Sequence, residues 1–286
     1  MKIASIDIGT NAIKSKVFET TPTSIDFLEG IRSPIRLGSE VFNSGSLSNE
    51  KLDELTKTLK KYQKNFSLNK IKMYEIVATS AFRDTQNSEK ARRYVENKIE
   101  HPIRIISGLE EAKLIRLHPK AQSGSNKVYV DVGGGSTELY IHQNGEHIIQ
   151  SFQLGAVRGM LGKEDPEEWK RLEKWLKKQS KISNLIGLGG SIRSFLNMHS
   201  SKEMSNLDFI KKSSDLSSRS LDDKILNYKL ANDRADVIDH ALKIYLKIIA
   251  DLNIKNIKAT KWGVSDSIAV KTFHELYSKK ISIYKN

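Results

Sequence analysis

Residues 128–143 read VYVDVGGGSTELYIHQ, and residues 3–19 read IASIDIGTNAIKSKVFE. Each is an apolar strand that reaches an Asp, passes an apolar residue and a Gly into a turn of small residues, and returns as an alternating strand. Asp7 and Asp131 are the matched acids, 124 residues apart. That period exceeds the ~20–50 residues of a solenoid repeat. It predicts two related domains, each opening with a β-hairpin.

The flanking segments extend the parallel. In the first half the pattern predicts a strand at 25–33, then a helix over 48–66 with Ser48 as N-cap and Leu52, Leu55, Leu59, Tyr62 and Phe66 at helical spacing. A strand at 71–78, a helix at 88–98 stopped by His101-Pro102, a short strand at 103–106 and a helix from Gly108 follow. The second half predicts strands at 128–132, 137–142 and 147–153, a helix at 166–181 with Pro166 in its first turn, and a strand at 184–188 leading into a helix. Residues 199–220 read as a Ser- and Lys-rich surface loop with short helical pieces, followed by a long helix at 233–251, a strand at 257–260 and a last helix at 264–277. Three antiparallel strands followed by βα units in both halves define an α/β pair with mixed sheets. The polar stretch 122–126 is the expected seam, giving domains 1–123 and 124–286.

The length of 286 residues agrees with two domains of ~150 residues. The chain has no Cys, which excludes disulfide scaffolds, thiol nucleophiles and Cys-ligated zinc. No apolar run approaches the ~18 residues of a membrane span, and the N-terminus reads as a strand and not as a signal peptide, so a cytoplasmic protein without membrane partners is expected. Lys and Arg number 47 against 34 Asp and Glu, a net charge of +13 that suits either a polyanionic partner or a surface solvated by lysine. The lysines are spread along the chain without an Arg-rich tail or an RNA-binding signature, so no nucleic-acid partner is expected.

Chemistry concentrates in 131–138. Three consecutive glycines at a strand end let the backbone approach an oxyanion and present several N–H donors, while Ser136 and Thr137 add hydroxyls. Asp131 and Glu138 flank the turn at a spacing suited to a hard divalent cation such as Mg²⁺ shared with phosphate. A tight hairpin turn explains the glycines without chemistry, but the echo at Asp7, Gly9, Thr10 and Asn11 favours a second phosphate loop facing the first across a cleft. Gly187–Ser191 is another strand-to-helix junction suited either to anion binding or to close packing. It lacks the last Gly of a dinucleotide fingerprint, and no P-loop occurs. Arg83, after a strand, is a candidate for bidentate phosphate contact or for capping a carboxylate. Glu110 and Glu111 open a helix, where acids stabilise the dipole; the alternative is a carboxylate that orients and deprotonates water.

Together these stretches resemble the exopolyphosphatase / guanosine pentaphosphate phosphohydrolase family of the actin-like, sugar-kinase-like ATPase superfamily. The matching runs, in family order, are IDIGTN at 6–11, RLGSEVFNSGSLS at 36–48, VATSAFRD at 77–84, IISGLEEAKLI at 105–115, VDVGGGSTEL at 130–139, GLGGSIRSF at 187–195 and RADVI at 234–238. The resemblance implies two ribonuclease H-like (actin-like ATPase) domains with mixed sheets around an interdomain cleft. It implies phosphate binding by Gly9, Thr10, Asn11, Arg83, Gly133, Gly134, Gly135, Ser136 and Thr137, Mg²⁺ (or Mn²⁺) near Asp7, Asp131 and Glu138, and Glu111 as catalytic base. It also implies a last helix that returns to the first domain. Where the family often has a Gly-Leu/Val-Arg-Glu-Gly run, this chain has Gly263-Val264-Ser265-Asp266-Ser267. Ending at Asn286, it resembles a short two-domain form.

The expected activity is Mg²⁺-dependent release of orthophosphate from the end of inorganic polyphosphate. The rivals are hydrolysis of guanosine pentaphosphate, a non-catalytic sensor of polyphosphate or of guanosine tetra- and pentaphosphate, and a sugar or acetate kinase, for which no adenine site is visible. A homodimer is compatible with the sequence.

Overall fold

The computed structural model describes residues 1–124 and 126–283, and the chain divides into two compact units. One comprises Met1–Ser107 and the segment from Val264 onward; the other is Gly108–Gly263.

In the first unit β1 (Lys2–Ile8), β2 (Ile13–Thr20) and β3 (Ile25–Ser33) form an antiparallel meander, and β4 (Met73–Ala78) and β5 (Arg104–Ile105) add in parallel beside β1, giving the order β3-β2-β1-β4-β5. Between β3 and β4 lie α1 (Leu37–Ser44) and α2 (Asn49–Leu68); α3 (Ser80–Asp84) and α4 (Ser88–Ile99) follow β4. Ser48 caps α2 by accepting from Lys51 N at 3.2 Å, satisfying one of the helix's unpaired first-turn donors. Alternation decides the faces of β1. Ala4, Ile6 and Ile8 enter a core with Leu55, Leu59, Tyr62 and Phe66 of α2. Ile3 and Phe18 pack instead with Ala269 of the last helix, α13 (Val264–Ile283). Ser5 Oγ donates to Ser265 O at 2.7 Å and Lys16 Nζ pairs with Asp266 at 2.6 Å, fixing the start of α13 to the same strands.

The second unit repeats this topology. Here β6 (Lys127–Val132), β7 (Thr137–Gln143) and β8 (Glu146–Phe152) are the antiparallel meander; β9 (Asn184–Leu188) and β11 (Asn256–Ala259) are the parallel additions, with the short β10 (Glu203–Ser205) at the edge. The order β8-β7-β6-β9-β11 therefore mirrors β3-β2-β1-β4-β5. The helices of this unit are α5 (Gly108–Leu114), α6 (Ala156–Met160), α7 (Pro166–Leu176), α8 (Gly190–Met198), α9 (Asn206–Ser217), α10 (Leu221–Leu226), α11 (Asn232–Ala235) and α12 (Ile238–Asp251).

Several boundaries differ from the sequence reading. The units part after Ser107, not at 122–126, because α5 and the turn after it pack on sheet β6–β8. Ile115 and Ala121 cluster with Tyr129 and Tyr140, and Tyr129 Oη donates to Lys120 O at 2.6 Å. Burial pushes the Tyr129 phenol up to about 12. Ser125 of the expected seam, and residues 284–286, lie outside the described residues. The 199–220 segment holds a full helix, α9, whose apolar side is only Phe209 and Leu216, with Ser205 accepting from Asp208 N as its cap. The long helix expected at 233–251 breaks between α11 and α12, and α7 stops at Leu176 short of 181. The eight residues of α1 carry too little periodicity to read from sequence.

Among the described residues no helix is long and apolar enough to cross a membrane. The Lys16–Asp266 pair joins two largely covered charges 250 residues apart in sequence. A double-mutant cycle of Lys16→Met and Asp266→Asn, followed by urea unfolding, is expected to give a coupling of roughly 0.5–3 kcal/mol. Additivity would mean that the pair does not hold α13 in place.

Candidate active site

The chemistry-bearing residues fall at the carboxyl ends of the parallel strands in each unit, where open α/β sheets place ligands. In the second unit the hairpin turn is Gly133–Ser136, closed by Gly133 N donating to Ser136 O at 2.9 Å. Its carbonyls are all tied on one side. Ala156 N donates to Gly133 O at 2.9 Å, and Val157 N and Arg158 N donate to Gly134 O at 2.8 and 3.0 Å. Arg158 Nε donates to Gly135 O at 3.0 Å. The peptides of this turn are trans, so the N–H of each bonded unit points the opposite way. The amides of Gly134, Gly135 and Ser136 thus aim together away from α6, the arrangement of an anion-binding nest.

The turn comes this close to α6 because of Gly155. A Cβ there would lie 2.5 Å from Gly134 O and from the Gly135 carbonyl carbon. The first unit builds the same device: turn Gly9–Ala12 closes through Gly9 N to Ala12 O at 3.2 Å, while Gly38 N and Arg36 N donate to Thr10 O and Asn11 O at 2.9 and 3.0 Å. The amides of Asn11 and Ala12 therefore turn away from α1. Arg36 holds a left-handed φ of 56° to make its bond, a strained choice for a residue with a side chain.

The matched hairpins differ in charge. Asp7 is opposite Lys14 in the β1–β2 register, and Lys14 Nζ lies 3.2 Å from its carboxylate. Asp131 is opposite Glu138, so here two carboxylates share one sheet face. Glu138 is buried and accepts from Ser151 Oγ at 2.9 Å. Asp131 Oδ1 would be 2.6 Å from a Cβ on Gly189, which sits at φ +82° and caps α8. Tyr245 of α12 is fully buried beneath this junction, within 3.3 and 3.4 Å of Leu188 O and Val130 O. Burial and the nearby Asp131 charge push its phenol well above the usual tyrosine range.

Among the described residues no three His, Asp or Glu side chains form a ready-made metal cage. Two carboxylates on one face nevertheless match the way Mg²⁺ is held, by one or two carboxylates with its remaining positions given to water and phosphate. Asp131 and Glu138 fit that role; Asp7, paired with Lys14, sits in the other unit.

Glu111 is half-buried in the first turn of α5, which packs on β7 and β8. Ile115, one helical turn on, clusters with Tyr129 and Tyr140, whose side chains share the sheet face of Asp131 and Glu138. Glu111 stands four residues before Ile115, in the helix that leads into this cluster. Glu110 is exposed.

Other expected residues behave differently. Thr137 is fully buried, and its hydroxyl donates to Leu154 O at 2.7 Å, so that hydroxyl ties the hairpin to the segment after β8 and is not presented to a phosphate. Arg83 Nη1 donates to Ile106 O at 2.9 Å, bracing α3 against the exit of β5. Two arginines were not assigned a role from sequence. Arg158 carries part of the turn, and Arg234 donates to Ser191 Oγ at 2.9 Å while its Nη2 lies 2.3 Å from where a Gly190 Cβ would be. The paired glycines at 189–190 were the available signal, since they leave room for both Asp131 and Arg234 over the strand–helix junction. Gly155→Ala is expected to keep a native circular dichroism spectrum but to lose most of the rise in melting temperature that tripolyphosphate gives the parent protein. An undiminished rise would mean that anion binding does not depend on the tied turn.

Residues 16–276 match the Ppx/GppA phosphatase family. An exopolyphosphatase from Cytophaga hutchinsonii superposes with a TM-score of 0.86 at 20% identity, covering 96% of this chain and 98% of that one. The Ppx/GppA family member from Aquifex aeolicus superposes with a TM-score of 0.76 at 23% identity, covering 99% and 98%. These similarities show a shared α/β fold with two mixed sheets, and with the family match over nearly its whole length the chain belongs to the Ppx/GppA phosphatase family.

Proposed function

We propose that the protein hydrolyses the terminal phosphoanhydride of inorganic polyphosphate and releases orthophosphate. The observation that carries this reading is the tied turn at 133–136, with three amides aimed one way beside two carboxylates on one sheet face. Phosphoryl transfer asks mainly for positioning and for neutralisation of charge on the transferred group, and fixed backbone amides do both without reorganising. The amides of Gly134, Gly135 and Ser136 would receive phosphate oxygens; the Asn11 and Ala12 turn is a second such donor set. Asp131 and Glu138 would hold a Mg²⁺ ion, which when bound neutralises phosphate oxygens of the substrate.

Glu111 would orient a water and accept its proton as the water oxygen bonds to the terminal phosphorus. The bond from that phosphorus to the bridging oxygen then breaks, and the shortened chain leaves with the bridging oxygen and its electron pair. Glu111 suits this role because it is half-buried in the helix that packs on β7 and β8, whereas Glu110 is exposed.

Orthophosphate release from polyphosphate, assayed with and without Mg²⁺, tests the proposal. Glu111→Gln is expected to lower kcat by about 10²- to 10⁴-fold with little change in KM, while Glu110→Gln stays near the parent rate. Unchanged release in Glu111→Gln would remove it from the chemistry. Faster release from guanosine pentaphosphate than from polyphosphate would reassign the substrate.

A further inference from the structure

The helix α2 carries a feature that the hydrolytic site does not use. Lys57, Lys60, Lys61 and Lys64 are all exposed, at spacings i, i+3, i+4 and i+7. At about 100° per residue they occupy an arc of roughly 100°, opposite the buried Leu52, Leu55, Leu59, Tyr62 and Phe66. The row extends roughly 10 Å along the axis.

Among the described residues none of the four lysines has an ion-pair partner. Of the acids of α2, Asp53 pairs with Lys98 at 2.5 Å and Glu54 with Lys51 at 2.6 Å, while Glu50 stands in the first turn, seven residues before Lys57. Two other charged helices of this chain carry ion pairs along their own length. Arg92 and Arg93 of α4 reach Glu89, and Arg92 also reaches Glu96; Lys170, Arg171 and Lys177 reach Glu167, Glu168 and Glu173 on α7. On α2 the 57/61 and 60/64 pairs set like charges at i, i+4, which destabilises a helix. The helix dipole does not account for them, because the last turn of α2 contains no basic residue.

We infer that this stripe is a docking track for a polyanion chain, and that its occupant is inorganic polyphosphate held outside the hydrolytic site. This rests on the substrate proposed above. A linear polyphosphate brings closely spaced charge and no apolar face, which matches a row of lysines with no exposed ring among them. Single-stranded nucleic acids use aromatic platforms for stacking, and the aromatics of α2, Tyr62 and Phe66, are both turned into the core.

The test is the quadruple variant Lys57→Gln, Lys60→Gln, Lys61→Gln and Lys64→Gln in the full chain. Gln matches Lys closely in helix propensity, and removing like-charge pairs does not threaten folding. Filter retention of labelled long-chain polyphosphate over a salt series reads binding directly. The variant is expected to bind at least about tenfold more weakly at low salt, with the slope of log K against log salt shallower by about 3. KM for long-chain polyphosphate should rise, with kcat and the KM for tripolyphosphate unchanged. Unchanged affinity and slope would overturn the track, as would an equal loss for tripolyphosphate, which would indicate diffuse net charge. Lysine-dependent binding of poly(U) tighter than that of polyphosphate would overturn the choice of occupant. If the parent protein releases no phosphate while the variant still loses long-chain binding, the track stands and the hydrolytic reading fails.

Discussion

The hydrogen bonds that pin the carbonyls of two hairpin turns are the constraint on which the rest depends. A peptide unit cannot hide its oxygen on one side without turning its N–H to the other. By giving Gly133 O, Gly134 O and Gly135 O to α6 and Arg158, the second unit commits three successive amides to a common direction. The first unit does the same with two amides, through Gly38 and the strained Arg36. Side-chain chemistry then follows from register. The hairpin closure that shapes each turn also fixes which residue faces Asp7 or Asp131 across the ladder.

That register makes two equal folds unequal in electrostatics. Lys14 opposite Asp7 leaves the first hairpin close to neutral, whereas Glu138 opposite Asp131 concentrates negative charge in the second. A cation shared with phosphate is therefore expected at the second hairpin. The two units also differ at the strand–helix junction after the first parallel neighbour. In the second unit Gly189 and Gly190 make room for Asp131 and Arg234, while in the first Thr79 N closes on Ile8 O at 3.1 Å and α3 begins at Ser80.

The repeated fold was legible because hairpins advertise themselves: alternation, an acid and small residues recur in 3–19 and 128–143, and each forms an interior antiparallel pair of its sheet. The glycine turn was legible for the same reason. What escaped depended on distant partners. Nothing local in Thr137 shows that Leu154 O will take its hydroxyl, and nothing near Arg158 or Gly155 announces that they complete a turn some twenty residues earlier in the chain. The seam was misplaced because a polar stretch at 122–126 marks exposure, whereas unit membership is decided by Ile115, Ala121 and Tyr129 packing together. Helix α9 escaped because its buried side needs only two large apolar residues.

Amide chemical shifts offer the most direct view of the tied turns. In ¹⁵N-resolved spectra titrated with tripolyphosphate, the N–H signals of Gly134, Gly135 and Ser136 are expected to move furthest and saturate together, since these three donors share one direction. Saturable binding that leaves those three amides in place while shifting others would contradict the account.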